Sequence, residues 1–312
     1  MAYYGAVDIG GTKIAVGIGS EDGALLASER FATPRFGPEQ GIHDIVQAIG
    51  NLCAQLHIAE TQLTALGVGT PGPLAGSRLL KSANLPEWEG IDLAVSLRLR
   101  AGFRVSVQND ATAAAMGEWY YGAGRRVNDM VYITVSTGIG GGIIAGGREV
   151  SGTDGNAGEL GHIVLERNGP LCQCGHYGCL EALASGTAIG RIGQERQPES
   201  DYLRTLGVIT AADVFLGAHR RDPVCDEIVQ QTAEYLGLGV SYLINLTNPT
   251  RVVMGGGVMA HAGAQFLDRV RAAAERFSMP ALFSATEIDL AALGEDSGLV
   301  GALAVGILGS AK

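Results

Sequence analysis

Cys172, Cys174 and Cys179 stand in a C-x-C-x4-C spacing within CQCGHYGCLE. In an acidic chain that starts without a secretory leader, three clustered thiols point to metal rather than to disulfides. Zinc takes four tetrahedral nitrogen or sulfur ligands, so three thiolates call for one more. His162 is the nearest candidate upstream, and the ERNG stretch between them reads as a turn that folds it back. Four protein ligands close the shell, so the predicted zinc is structural; a catalytic zinc keeps a position open for water or substrate. Buried or redox-active thiols are the alternative. Glu159 lies three residues before His162 and Glu181 two after Cys179, so a metal that pins the ligands also pins both carboxylates. Taken singly, either glutamate could equally face solvent.

Glycine marks three further places. Gly10-Gly11-Thr12 with Lys13, Thr137-Gly138 and Gly255-Gly256-Gly257 each follow an apolar, strand-like run. Backbone amides approach an anion closely where no Cβ intervenes, so each turn could hold phosphate; each could also be a tight turn and nothing more. None of the three is a P-loop or a G-x-G-x-x-G fingerprint. Together they suggest a bound nucleotide. Asp110 follows a strand end. It reads either as the N-cap of the next helix or as a general base that accepts the proton of a hydroxyl during phosphoryl transfer. Asn109 beside it could hold a substrate hydroxyl. Asp8, before the first glycine turn, could organise Mg²⁺ through water or simply cap the turn.

The elements that must position these residues alternate between strands and helices. Tyr3 to Ile9 and Ile14 to Ile18 read as two strands about a glycine turn, and Val131 to Val135 with Ile143 and Ile144 repeats the device. Leu66 to Val68 leads into the rigid loop Gly69 to Pro73, and Val105 to Gln108 forms a further strand. Helices are expected over Ile42 to Leu56, Ala111 to Tyr121, Asp226 to Leu246 (stopped by Asn248-Pro249), Ala262 to Phe277 and Ser297 to Leu308. Arg251 to Met254 forms a strand before the third glycine cluster. The last helix carries an N-cap serine and a small-residue face suited to close packing.

A length of 312 residues predicts about two domains, and 46% hydrophobic with 17% charged residues supports a sizeable core. The expected division is residues 1–120 plus 297–312 against 121–296, with the boundary near 118–128. A formal charge of −10 argues against nucleic acid or an anionic membrane as partner, and no apolar run is long enough to span a bilayer. A cytoplasmic location is expected. Cys53 and Cys225, apart from the cluster, read as core thiols.

Together these segments resemble the ROK family of sugar kinases and repressors over nearly the whole chain. AVDIGGTK is similar to the family's first phosphate motif, STGIGGGI to its second and VVMGGGV to its adenosine motif, while GELGH followed by CQCGHYGCLE resembles its zinc signature. The resemblance implies an α/β, two-domain actin-like or hexokinase-like ATPase fold with an embedded structural zinc site. It makes His162, Cys172, Cys174 and Cys179 the zinc ligands and Asp110 the catalytic base. It assigns Asn84 (in SANLPEW), Asn109, Asp110, Glu159, His162 and Glu181 to the sugar, and Gly10, Gly11, Thr12, Lys13, Thr137, Gly138 and Gly256 to ATP with Mg²⁺. The implied activity is phosphorylation of a hexose at its 6-hydroxyl, with glucose the first expectation and an N-acetylmannosamine or N-acetylglucosamine kinase the alternative. A homodimer or homotetramer is implied. The family's DNA-binding repressors carry a helix-turn-helix before the first glycine motif; here that motif begins at Asp8, so no such domain is expected. A sugar-sensing protein without catalysis is the remaining non-enzyme reading.

Overall fold

The structure, a computed structural model, describes residues 2–34, 37–82 and 84–310. In chain order its elements begin with β1 (Tyr3–Ile9), β2 (Lys13–Ser20), β3 (Leu25–Ala32), α1 (Pro38–Gln55) and β4 (Leu63–Thr70). Then follow β5 (Leu74–Ala75), β6 (Arg78–Leu79), α2 (Leu93–Ala101), β7 (Arg104–Asn109) and α3 (Asp110–Tyr121). The middle of the chain forms β8 (Met130–Val135), β9 (Ile139–Ala145), β10 (Arg148–Glu149), α4 (Leu180–Ala184), α5 (Gly186–Glu195), α6 (Ala211–His219) and α7 (Pro223–Thr247). It closes with β11 (Arg251–Gly255), α8 (Gly257–Phe277), α9 (Pro280–Phe283), β12 (Glu287–Leu290) and α10 (Ser297–Ser310).

These elements divide into two compact units. The first comprises Met1–Arg126, Glu149–Gly158 and Glu295–Lys312; the second comprises Val127–Arg148 and Glu159–Gly294. The short excursion Glu149–Gly158 is not among the sequence expectations. It is fastened to the first unit by Asn156, whose Oδ1 accepts the Leu74 amide and whose Nδ2 donates to the Leu74 carbonyl, each at 2.8 Å.

The first unit is built on a five-stranded sheet in the order β3-β2-β1-β4-β7. β1 and β2 form the expected antiparallel hairpin, while β1, β4 and β7 run parallel. Ile42, Ile45, Ile49 and Leu52 of α1 recur at helical spacing and are buried with Val7, Ile9, Leu66 and Val68 of the sheet. α10 covers Tyr4, Ala6 and Ala65 through Leu299, Ala302 and Leu303. The approach is backbone to backbone. A Cβ on Gly67 would sit 1.8 Å from the Ala302 carbonyl oxygen, and one on Gly301 would sit 2.4 Å from that of Ala113 in α3. Small residues in α10 therefore serve contact distance.

The second unit repeats the plan with the order β10-β9-β8-β11-β12, where β8 and β9 form a hairpin and β8, β11 and β12 run parallel. Its core joins Val131, Ile133 and Val252 of the sheet to Leu236, Val240 and Ile244 of α7.

Helix starts differ from the sequence reading at α1, which begins at Pro38 rather than Ile42 with the proline in its first turn, and at three further helices. α7 starts three residues before Asp226, because Asp222 accepts the Cys225 amide and Pro223 occupies the first turn. α8 starts at Gly257, and a kink at Gly263 (φ 70°) interrupts the periodicity that suggested Ala262. α3 is capped by Asn109, whose Oδ1 accepts the amides of Ala111 and Thr112 at 2.9 and 3.2 Å. Asp110 is thus the first residue of the helix; reading it as the cap is corrected. The stop at Asn248 stands, with that residue in left-handed backbone conformation (φ 45°).

Gly67→Ala should lower stability by about 3 kcal/mol, because neither backbone can retreat from the inserted methyl. Denaturant unfolding of the purified variant checks this, and an unchanged midpoint would mean that α10 does not seat on β4.

Candidate active site and metal centre

The ligand atoms of His162, Cys172, Cys174 and Cys179 all lie within 4.8 Å of one another. Cys172 Sγ is 3.6 Å from His162 Nδ1, and Cys174 Sγ is 3.6 Å from Cys179 Sγ. Zinc bonds of about 2.3 Å to sulfur and 2.0 Å to nitrogen give tetrahedral edges of roughly 3.8 Å (S–S) and 3.5 Å (S–N), so these spacings fit the ion. Local pairing brings the ligands together. Val164 bridges Cys179 and Leu171 bridges Tyr177 in antiparallel fashion, and the turn at Glu166–Gly169 closes with a 3.1 Å backbone hydrogen bond. Tyr235 of α7 donates its hydroxyl to Glu166, tying the knuckle to the core of the unit.

The thiols differ in acidity. Burial pushes Cys172 up to about 12 and also raises Cys179. At Cys174 burial acts in the same upward sense, but hydrogen bonds centred on His176, Cys172 and Cys179 outweigh it and bring the thiol down to about 6. Two of the three thiols are therefore protonated near neutral pH without a metal, a state that zinc reverses by coordination.

The two glutamates beside the ligands take different positions. Glu159 is exposed and its Oε2 stands 3.8 Å from His162 Nε2, the ring nitrogen left over when Nδ1 faces the sulfurs. At that distance the carboxylate is beyond hydrogen-bond reach of the imidazole. Glu181 is half-buried. Its Oε2 accepts the Ile139 amide at 3.0 Å, and its Oε1 lies 3.6 Å from Cys172 Sγ. The solvent-facing alternative fits Glu159 and fails for Glu181, whose carboxylate is engaged by the Ile139 amide.

In the first unit the candidate residues gather at the carboxyl ends of the parallel strands β1, β4 and β7, the end where open α/β sheets bind ligands. Asp8 and Asp110 flank one glycine: a Cβ on Gly69 would lie 3.7 Å from Asp110 Cα and 3.8 Å from Asp8 Oδ1. Asp110 Oδ1 accepts the Ala111 amide at 2.8 Å. Asn109 spends its oxygen on the helix cap, while its Nδ2 makes only a long 3.5 Å contact to the Gly72 carbonyl, so a donor rather than an acceptor is offered to a ligand. Burial pushes the Asp8 carboxyl up, against the opposing charges of Lys13 and Arg30. A carboxylate held this way gains from a nearby cation.

The first glycine turn closes with the Gly10 amide on the Lys13 carbonyl at 2.9 Å, leaving Gly11, Thr12 and Lys13 exposed. Gly11 has an internal reason as well. A Cβ there would lie 2.8 Å from the carbonyl oxygen of the exposed Asn84. The missing side chain is what lets the Asn84 segment rest on the turn.

The second unit contains a cleft of about 500 Å³ lined by Ser136, Thr137, Thr187, Thr210, Gly257 and His261 among others. Its lining includes the first residues of α5, α6 and α8, so three helix N-termini contribute amides and positive partial charge to one cavity, an arrangement suited to an anion. Gly256 precedes α8 with φ 89°, and a Cβ on it would sit 2.4 Å from the Val135 carbonyl. Sequence reasoning found Thr137 and Gly256 but missed Thr187, Arg191, Thr210 and His261. The N-cap pattern of Ser185 and the capping box of Thr210 with Asp213 were the available signals for two of the helix starts.

The pattern that describes the ROK family matches residues 4–307. The chain belongs to the ROK family. It is 34% identical over 307 residues to a glucokinase of Thermotoga maritima, covering 96% of this chain and 95% of the relative. It is equally 34% identical over 299 residues to an N-acetylmannosamine kinase of Yersinia pestis, covering 95% and 96%. Among solved structures, a ROK family glucokinase from Streptomyces griseus in complex with glucose and AMPPNP superposes with a TM-score of 0.82 at 33% identity, covering 97% of this chain and 99% of that one. The two-unit α/β architecture described above is thus that of a hexokinase-like ROK fold, and this chain carries within it a Cys3His cluster suited to zinc.

Zinc uptake by the metal-free ROK protein at pH 7.5 should release about two protons from thiols, because Cys172 and Cys179 are held protonated while Cys174 is already ionised. Calorimetric titration in buffers of different ionisation enthalpy counts them. Cys174→Ser should lose zinc, measured by elemental analysis, and lose thermal stability with it; a fully loaded variant would exclude Cys174 as a ligand.

Proposed function

We propose that this chain is an ATP-dependent hexokinase that transfers a phosphoryl group to the 6-hydroxyl of glucose. The observation that carries the reading is the place of Asp110. It stands at the carboxyl end of β7 and opens α3, yet the helix is capped by Asn109. The capping duty that would explain an aspartate there belongs to its neighbour, so this carboxylate, one oxygen of which accepts the Ala111 amide, stands at the strand end where α/β sheets bind ligands for a reason other than the cap.

Phosphoryl transfer asks a protein for positioning, charge stabilisation and a base for the attacking hydroxyl. Asp110 takes the hydroxyl proton as the new P–O bond forms. Asn84, Asn109, Glu159, His162 and Glu181 supply the amides, imidazole and carboxylates that orient a ring of hydroxyls. The cleft of the second unit takes the nucleotide beside Gly256, while Gly10, Gly11, Thr12 and Lys13, with Thr137 and Gly138, contact its phosphates. Asp8 is the carboxylate best suited to Mg²⁺, which when bound neutralises charge on the phosphates. His162, Cys172, Cys174 and Cys179 would close the shell of a zinc ion, which would then serve structure and not the transfer. The sequence similarity to an ATP-analogue-bound glucokinase supports the choice of donor and acceptor.

An N-acetylmannosamine kinase is the second reading, favoured by an identity equal to that with the glucokinase. ADP release with Mg-ATP against glucose, mannose, fructose, N-acetylglucosamine and N-acetylmannosamine decides between them. Preference for glucose is expected; preference for an N-acetyl sugar keeps the mechanism and changes the substrate, and no turnover with any sugar overturns the enzyme reading. The assembly expected from the family likeness, a homodimer or homotetramer, is measured by light scattering.

Asp110→Asn should lower kcat by at least about 10³-fold with sugar affinity nearly unchanged, since the amide keeps the shape but accepts no proton. Undiminished kcat would remove Asp110 as the base.

A further inference from the structure

The Ser136–Ile139 turn, closed by the Ser136 amide on the Gly138 carbonyl at 2.9 Å, is tied to the segment that follows the last cysteine of the metal cluster. The Gly186 amide donates to the Ser136 carbonyl at 2.7 Å. Thr187 donates to the Thr137 carbonyl from both its amide (3.3 Å) and its hydroxyl (2.8 Å). Glu181 completes the set by accepting the Ile139 amide, and its other oxygen reaches Cys172 Sγ. Gly138 is packed against the same carboxylate: a Cβ there would lie 2.4 Å from Glu181 Oε2, so the carboxylate would have to leave its place on the Ile139 amide. The glycine therefore has a reason beyond access for phosphate. It makes room for the glutamate.

We propose that Glu181 is a positioning residue for the nucleotide: it clamps the Ser136–Ile139 turn to the cysteine knuckle, so that the knuckle sets the geometry of the phosphate turn independently of any sugar. The inference rests on the kinase reading above, in which Thr137 and Gly138 contact the phosphates. Its physical basis is short and continuous. Cys179 is followed directly by α4, whose second residue is Glu181, and α4 is followed by Ser185, which caps α5 by accepting the Ala188 amide. Any shift of the knuckle moves the acceptor of the Ile139 amide and the donors to Ser136 and Thr137 together. A glutamate that served the sugar alone would have no bearing on nucleotide bound without sugar.

The test is the affinity for AMPPNP with Mg²⁺, measured calorimetrically in the absence of sugar, with zinc content determined on each sample. Glu181→Ala and Gly138→Ala should each weaken binding about 10-fold, the scale of one charge-assisted hydrogen bond. The double variant should bind about as either single one, because removing the carboxylate removes what the new methyl strikes. Glu181→Gln, whose carbonyl oxygen still accepts the Ile139 amide, should come within about 3-fold of the parent protein. Parent-like AMPPNP affinity in Glu181→Ala with zinc retained, or losses that simply add in the double variant, overturns the proposal. If Glu181→Ala loses its zinc or its fold, Glu181→Asp decides instead: its shorter side chain withdraws the carboxylate from the Ile139 amide, and parent-like AMPPNP affinity with zinc retained overturns the proposal. Failure of the parent protein to bind AMPPNP at all, with or without sugar, would instead sink the kinase reading on which the inference rests.

Discussion

Three sulfurs and one imidazole nitrogen crowded within 4.8 Å of one another are a costly arrangement for a chain to hold unaided, since two of the thiols are buried and resist ionisation. A cation resolves the conflict: it takes up the thiolate charge and replaces four mutually indifferent groups with a single tetrahedral node. Much of the second unit's polar architecture leads away from that node. Glu181 links a ligand to the β8–β9 turn, and Tyr235 anchors the knuckle to α7 through Glu166. The loop from Glu159 to Glu181 contains little regular structure, and cross-links of this kind supply the rigidity that a hydrogen-bonded element would otherwise provide.

The first unit places its candidate residues by close packing. Its parallel strands end together, and the residues with chemistry to offer stand in the loops and helix starts immediately beyond them. Close packing beneath makes this possible. With α10 lying directly on β4 through Gly67 and Ala302, the sheet is fixed from behind. Gly298 at the start of the same helix lies so near Asp8 that a Cβ would come within 2.4 Å of its carboxylate. The burial that raises the Asp8 carboxyl is thus partly the work of the last helix of the chain.

Glycine has two uses in this protein that sequence reading does not separate. At Gly256 the backbone itself takes a conformation unfavourable to other residues. At Gly11 and Gly138 the backbone is unexceptional, and the side chain is missing because Asn84 and Glu181 occupy its place. An amide exposed for phosphate on one side of a turn and a neighbour pressed against its other side are compatible demands, and both favour the same residue. Motif spacing records that glycine is needed and is silent on which demand made it so.

The sequence alone determined the things that depend on local pattern and side-chain chemistry. Thiol spacing with an upstream histidine, apolar alternation in the hairpin strands, the Asn248-Pro249 stop and the family motifs were all readable, because each follows from residue type within a few positions. Tertiary structure decided what depends on residues far apart in the chain. The cap at Asn109 rather than Asp110 turned on which side chain the helix amides could reach. The gathering of three helix starts around one cleft, from residues 186 to 258, follows from packing against a shared sheet and has no signature in any single window of sequence. The duty of Glu181 was hidden for the same reason. Its partner amide, Ile139, lies 42 residues away, and a carboxylate's role is set by the donors that folding brings to it.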